Sequence, residues 1–403
     1  MSYLKEKLQK DVLESIDLTS EITDGELLSS IDKILVEKGR EKFISMEEKR
    51  RLRKNIFNSI RKLDILQDMI EDPTITEIMV NGYKNIFIER NGEISRCQEQ
   101  FESKEKLEDV VQQIVSQSNR IVNASNPIVD SRLDDGSRIN IVLPPIALDG
   151  PVITVRRFPE NPITINQLIE YESISMEVAE LLEKLVISRY NIFISGGTGS
   201  GKTTFLNVLS NYIPSNERIV TIEDSAELQL RNVINLVRME VRNGNAEGNN
   251  QISIRDLIKT SLRMRPDRII VGEVRDEAAI DMLQALNTGH DGSLSTGHAN
   301  SPEDMLHRLE SLVILGANIP LLAIRRQIAS AIDIVVHLGR LRDKSRRVLE
   351  ITEVMDFKDN EIILNPLYKF TEEGGDNKKI IGKLEKVNDL IYTEKLNRAG
   401  IRL

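Results

Sequence analysis

The run Gly196-Gly197-Thr198-Gly199-Ser200-Gly201-Lys202-Thr203-Thr204 sets a lysine and two hydroxyls behind a cluster of glycines. It matches G-x-x-x-x-G-K-[ST] from Gly196 to Thr203. Glycines let backbone N–H groups wrap a phosphate with no Cβ in the way. Lys202 supplies a point charge for β- and γ-phosphates, and Thr203 a hydroxyl for Mg²⁺. The flanks suit this use. Asn191-Ile192-Phe193-Ile194-Ser195 reads as a short buried strand, and Thr203 to Leu209 as the start of a helix whose N-terminus favours anions. Strand, glycine-rich loop and helix make a P-loop, with Gly196, Gly197, Thr198, Gly199, Ser200, Gly201, Lys202, Thr203 and Thr204 as the ATP-binding set.

Hydrolysis needs more: a placed water, a carboxylate to orient or deprotonate it, and positive charge on the transferred group. Two apolar runs end in acids. One is Arg218-Ile219-Val220-Thr221-Ile222-Glu223-Asp224. The other is Arg268-Ile269-Ile270-Val271-Gly272-Glu273, followed by Val274-Arg275-Asp276. The second is a loose Walker B, with Gly272 where an aspartate is usual. Two of the chain's 4 histidines fall in Thr288–Asn300, as His290 and His298. Their spacing is not that of a helical metal pair, so a histidine bonded to the γ-phosphate or to the acids suits this stretch better. Arginines ahead of the P-loop, Arg132, Arg138, Arg156 and Arg157, are candidates to add charge at the transferred phosphoryl group. A turn at Asp134-Asp135-Gly136-Ser137 would present Arg138 beside a hairpin tip.

The elements that must position these groups fall in three regions. Residues 1–66 read as helical, with Leu27, Leu28, Ile31, Ile34 and Leu35 on one face and Leu52, Ile56, Ile60 and Leu63 on another. Residues 67–158 read as an α+β domain. Asn81-Gly82 and Asn91-Gly92 break strand-like runs, and a helix capped by Ser103 carries Leu107, Val110, Val111, Ile114 and Val115. The stretch 159–174, with Pro159 and Pro162, reads as a linker. From 175 to 403 helices alternate with strands expected at 191–195, 218–223, 233–239, 268–273, 293–296 and 333–338. That pattern predicts an α/β fold with a mainly parallel sheet, closed by polar loops at 342–345 and 371–379. Ser301-Pro302-Glu303-Asp304 reads as a well-capped helix start.

Bulk properties narrow the function. The net charge of −9 and 4% aromatic content, with no tryptophan, argue against a motor that grips nucleic acid through a basic channel and stacked bases. A basic cluster, Lys49-Arg50-Arg51-Leu52-Arg53-Lys54, follows Glu47-Glu48 and reads as a solvated helix face. No apolar run reaches the length of a membrane span, and the N-terminus lacks an apolar signal core. The single cysteine, Cys97, rules out both an internal disulfide and a four-cysteine zinc site. These properties fit the cytosol.

In this order, the P-loop, Thr221-Ile222-Glu223-Asp224, Val271-Gly272-Glu273-Val274-Arg275-Asp276 and Thr288–His298 resemble the type II/type IV secretion ATPases, with their Asp box, atypical Walker B and His box. Three further stretches are similar to the CpaF/TadA-type branch of tight-adherence (Flp) pilus assembly. They are Ile78-Met79-Val80-Asn81-Gly82, Asp134–Asn140 and Leu396–Ile401. The resemblance covers about residues 70–403. It implies a RecA-like P-loop ATPase domain preceded by an α+β N-terminal domain, assembled as a cytoplasmic homohexamer. Such a ring docks on inner-membrane platform proteins and turns ATP hydrolysis into pilin movement. It implies that Lys202 and Thr203 bind phosphate and Mg²⁺, that Glu223 polarises the water and that Glu273 serves Mg²⁺ and the acid network, the two acids being able to exchange roles. It further implies that His298 senses the γ-phosphate and that Arg132, Arg138 and Arg157 are the arginine contacts. The four-cysteine zinc module of the classical extension ATPases is missing, which points to the Flp-type, retraction or conjugative branches. Gly297 stands where the Flp-type pattern has a bulkier residue. A conjugative, DNA-linked ATPase or RecA-like DNA motor is the alternative function.

Overall fold

The computed structural model describes residues 2–16, 22–41, 43–90, 92–117, 121–157, 162–242 and 250–403. The expectations at Asn91, Phe158 and the start of the linker (159–161) lie outside the described residues. Two compact units emerge, Met1–Glu160 and Asn161–Leu403.

The first unit opens with four helices: α1 (Ser2–Ser15), α2 (Asp24–Glu41), α3 (Met46–Arg61) and α4 (Ile65–Glu71). Helix α3 starts where its sequence tells it to. The Ser45 hydroxyl accepts the Glu48 amide and the Glu48 carboxylate accepts the Ser45 amide, a reciprocal cap. Its apolar stripe, Leu52 and Ile56, packs on Leu27, Ile31 and Leu35 of α2 and Leu8 and Val12 of α1. Within the basic cluster, Arg53 pairs with Asp32 at 2.6 Å and Lys54 with Asp68 at 2.6 Å. Those partners sit on neighbouring helices rather than one turn away, so the pairs tie the bundle together.

Then follow β1 (Ile75–Asn81), β2 (Ile86–Arg90), β3 (Glu93–Arg96), α5 (Lys104–Gln117), β4 (Ile128–Arg132), β5 (Arg138–Val142) and β6 (Val152–Arg156). The strands form an antiparallel sheet in the order β3-β2-β1-β6-β5-β4. Leu107, Val110, Val111, Ile114 and Val115 of α5 are buried in one core with Ile78, Val80, Ile139, Ile141, Ile153 and Val155. The Ser103 hydroxyl accepts the Lys106 amide, as a cap should.

The second unit contains α6 (Ile165–Glu170), α7 (Met176–Ile187), β7 (Ile192–Gly196), α8 (Lys202–Ser210), β8 (Arg218–Glu223), β9 (Asn235–Glu240), α9 (Ile254–Ser261), β10 (Arg268–Val271), α10 (Ala278–Leu286), β11 (Leu294–Gly297), α11 (Pro302–Gly316), α12 (Leu321–Ala331), β12 (Ile334–Arg340), β13 (Arg346–Lys358), β14 (Glu361–Gly375), β15 (Ile380–Lys386) and α13 (Glu394–Ala399). Their sheet runs β15-β14-β13-β12-β7-β11-β10-β8-β9. Strands β12, β7, β11, β10, β8 and β9 are parallel; β13, β14 and β15 add an antiparallel meander at the β12 side.

The expected mainly parallel sheet gains an antiparallel part, and two further expectations change. The sheet is mixed, because the polar and charged residues of 346–386 alternate with buried Val348, Ile351, Val354, Leu367 and Tyr368 as one-faced strands do. The loop expected at 371–379 is strand as far as Gly375. The stretch expected as a linker holds α6, whose cap is Thr164 and whose Leu168 is buried in the second unit's core.

Strand β7 lies inside the parallel part, between β12 and β11, and all its residues are buried. Apolar side chains fill both sides of the sheet, in two clusters built on Ile192, Ile194, Val336 and Leu206 and on Phe193, Val220, Val335 and Leu283. At the end of the sheet where β7 begins, the chain's last segment returns. Lys395 of α13 reaches Asp333 at 2.7 Å and Asp291 at 3.0 Å. Asp333 also accepts the Asn191 amide, and the Tyr190 hydroxyl donates to the Tyr392 carbonyl. The buried Glu353 carboxylate accepts the amides of Ile391 and Tyr392.

Candidate active site

The P-loop leaves the C-terminal end of β7, where ligands bind in parallel sheets. Gly201, at φ 93°, is the N-cap of α8 and takes a left-handed conformation that a Cβ would strain. Gly197, Thr198 and Gly199 are exposed at the loop tip, Gly196, Ser200 and Lys202 are buried, and Thr203 and Thr204 are half-buried. The Ser200 hydroxyl donates to the Gly197 carbonyl at 2.9 Å and stiffens the loop. Lys202 Nζ donates to the carbonyls of Gly196 (3.1 Å) and Gly197 (3.0 Å) and to His298 Nδ1 (3.3 Å). Burial lowers the Lys202 pKa, with Glu273 opposing.

Strand β11 delivers His298 to the same place. Its ring is held below the usual histidine range by burial and by Lys202, with Glu273 opposing. A neutral ring that accepts from Lys202 at Nδ1 carries its proton on Nε2. Nε2 faces Glu273 Oε1 at 3.1 Å, outside hydrogen-bond alignment. The other Glu273 oxygen accepts from Arg275 Nη2 at 2.7 Å. Burial alone would raise Glu273, but the bond and charge of Arg275, together with His298 and Lys202, bring it below the ordinary glutamate range. Arg275 also reaches Asp224 at 3.3 Å. Lys202, His298, Glu273, Arg275 and Asp224 thus form one connected polar chain drawn from the ends of β7, β11, β10 and β8.

Glu223 stands apart from that chain. It is 3% exposed, and its Oε2 accepts the amides of Glu227 (2.6 Å) and Leu228 (2.9 Å). Burial pushes its pKa up to about 7 against those bonds. One oxygen of its carboxylate therefore holds the turn after β8.

At these strand ends, two buried carboxylate oxygens have no hydrogen-bond partner: Glu273 Oε1 and Glu223 Oε1. The Glu273 oxygen lies in the polar chain with Lys202, whose Thr203 neighbour is half-buried at the start of α8. A hard oxygen acceptor left unsatisfied in a chain that reaches the P-loop lysine fits Mg²⁺ or its water shell.

The P-loop's other flank carries residues that the sequence did not single out. Arg346 Nε donates to the Gly199 carbonyl at 2.9 Å, and His337 Nδ1 lies 2.9 Å from the Ser195 hydroxyl under the loop. The signal was there, in the basic run Arg340-Leu341-Arg342-Asp343-Lys344-Ser345-Arg346-Arg347, but only strand order places that run beside the P-loop.

Gly297 has a packing reason. A Cβ there would lie 2.8 Å from Met305 Cε and 3.0 Å from Phe193 Cε1, so a larger residue before His298 would push Met305 or Phe193 aside.

The candidate arginines belong to the first unit. Arg132 pairs in register with Arg138, and Arg138 with Arg156, so three arginines line up across β4, β5 and β6. Arg156 continues the row to Glu77 at 3.9 Å. Arg157 faces otherwise. Its Nη1 donates to the carbonyls of Asp72 and Ile75, which fastens the connection between α4 and β1. The row therefore contains Arg156 in place of Arg157.

The family model for type II/IV secretion system proteins matches residues 60–382. The chain belongs to that family. A putative conjugal transfer protein of Mycobacterium tuberculosis is 33% identical over 293 residues, 71% of this chain and 83% of the relative. The conjugal transfer protein TrbB of Rhizobium radiobacter is 34% identical over 312 residues, 75% of this chain and 92% of the relative. The crystal structure of the Legionella pneumophila ATPase DotB aligns with a TM-score of 0.52 at 21% identity, over 73% of this chain and 80% of DotB, a likeness of fold. As a family member the chain is an ATP-hydrolysing enzyme that binds ATP.

Proposed function

We propose that the chain is the ATP-driven motor of a pilus-assembly or secretion machine of the tight-adherence (Flp) kind. It works as a cytoplasmic homohexamer docked on inner-membrane platform proteins. The observation that supports this most is the polar chain from Lys202 through His298 and Glu273 to Arg275, which joins the P-loop to three strand ends. Such a chain can report on a γ-phosphate. Lys202 exchanges the carbonyls of Gly196 and Gly197 for phosphate oxygens, and its loss from His298 Nδ1 changes what the ring gives to Glu273. Thr203 and Glu273 would hold Mg²⁺, which neutralises phosphate charge when bound. Glu273, ionised at neutral pH, orients the attacking water, and Glu223 holds the turn after β8. Glu273 thereby takes over the water-orienting role first expected of Glu223. The arginine row Arg132, Arg138 and Arg156 supplies charge to a neighbouring copy's site in the ring. Among the described residues no helix is long and apolar enough to cross a membrane, so membrane contact runs through partners.

ATPase rate against protein concentration, with mass analysis alongside, tests this in wild type and Arg138→Ala. Activity should rise with hexamer formation and collapse in an Arg138→Ala variant that still assembles. Full turnover by a monomer, indifferent to Arg138, would refute the ring reading.

A conjugative function is the second reading, favoured by the conjugal transfer names of the relatives above. The net charge of −9 supports the first. ATPase rates that DNA leaves unchanged at low salt keep the first reading, whereas stimulation that fades with salt moves the assignment to conjugation.

A further inference from the structure

The hairpin between β12 and β13 is strongly basic, and two of its arginines are paired. Arg342 pairs with Glu372 at 2.6 Å and Arg347 with Glu172 at 3.1 Å. Arg340 and Arg346 are different. They are exposed and sit directly opposite each other across the two strands. Among the described residues neither has an ion-pair partner. Like charges opposed in this way repel and destabilise a strand pair unless an anion lies between them.

Both guanidinium groups reach the P-loop. Arg346 Nε donates to the Gly199 carbonyl, and its Cδ would lie 3.5 Å from a Cβ built on Gly201. Arg340 Nη1 would lie 3.8 Å from a Cβ built on Gly199. Among the described residues, Nη1 and Nη2 of Arg346 make no hydrogen bond. Two planar forks of donors, uncompensated, therefore converge on the tip of a loop built for phosphate. Guanidinium forks match the paired oxygens of a phosphate.

We propose that Arg340 and Arg346 form an anion clamp, supplied by the same chain as the P-loop, for the phosphates of bound ATP. The bound polyanion removes their mutual repulsion, so nucleotide and hairpin stabilise each other. This rests on the P-loop being the ATP site. The clamp differs from the arginine row of the first unit in strand, in unit and in belonging to the copy whose P-loop it serves.

The test is ATP binding by calorimetry and steady-state kinetics on the full chain. The variants are Arg340→Gln/Arg346→Gln, Arg340→Lys/Arg346→Lys and Lys202→Ala. Glutamine keeps a donor for the Gly199 carbonyl but not the charge. The glutamine pair should weaken ATP binding and raise KM about tenfold, the loss expected for charge-assisted contacts, while kcat changes less than about twofold. The lysine pair should recover most of that affinity. The melting temperature without nucleotide should stay level or rise in the glutamine pair, because a repulsion has gone. Wild-type ATP affinity in the glutamine pair would overturn the clamp and leave Arg346 as a tether of the loop. Wild-type protein binding ATP no better than Lys202→Ala would instead overturn the P-loop reading on which the clamp rests.

Discussion

Replacing Glu223 by glutamine should change the pH dependence of stability more than stability at any one pH. The folded chain holds this carboxyl at about 7, against an ordinary value of 4.5, because it is buried and one of its oxygens has no hydrogen-bond partner. Between those two values the folded chain keeps a proton that the unfolded chain has released. Stability from this group is therefore complete below pH 4.5 and is lost as pH rises through 7. At about 1.4 kcal/mol per pH unit, that interval is worth about 3 kcal/mol. Glutamine Oε1 can still accept the amides of Glu227 and Leu228, so the turn keeps its anchor, but the titration is gone. Asp333, whose burial raises its pKa, and His298 and His337, whose burial lowers theirs, titrate in both chains and cancel in the difference. Urea unfolding of both chains at pH 5, 6, 7 and 8 reads the effect. Relative to Glu223→Gln, the wild type should lose about 3 kcal/mol between the acid and alkaline ends. A difference that stays constant with pH would refute the account of Glu223 as a buried, proton-holding anchor.

Glu273→Gln removes the ionised acid of the polar chain, so ATP turnover should fall by at least about 100-fold while ATP binding is kept; coupled ATPase and binding assays separate the two. Gly297→Ala forces Met305 or Phe193 to move and should cost about 1–3 kcal/mol in urea unfolding, part of it returned when Met305 is shortened to valine in the same chain. Glu217 takes both guanidinium faces of the buried Arg268 at 2.7 and 2.8 Å. Glu217→Gln should therefore cost about 3–5 kcal/mol, read as a lowered denaturation midpoint.

The strands around the nucleotide were legible because they are short apolar runs bounded by glycine, acids or turn residues. Ile192–Gly196, Arg218–Glu223 and Leu294–Gly297 all fall within a residue or two of expectation. Lys202, Glu273 and His298 declared themselves by type, and strand order brings them together. The meander from Arg346 to Lys386 was harder to read. Its outer face is charged, as in Lys369, Glu372, Lys383 and Glu385, so its alternation is diluted and its turns resemble loops. Arg340 and Arg346 show locally only as part of a basic run, since their meaning comes from β12 lying next to β7. Arg156 and Arg157 show the cost of a one-residue difference in a strand: neighbours point to opposite faces, and only the register decides which joins Arg132 and Arg138. The hydrogen bonds of Glu223 were hidden because a strand-end acid bonded to its own turn and one free of it look the same in one dimension.

The returning C-terminal segment bears on how this protein should be handled at the bench. A chain cut before Thr393 loses Lys395 and leaves Asp333, which also receives the Asn191 amide, short of its counter-charge. Such a cut also deprives the first residues of β7 of the footing from which the phosphate-binding loop springs. Trimmed versions made for crystallography or imaging should therefore run at least through α13.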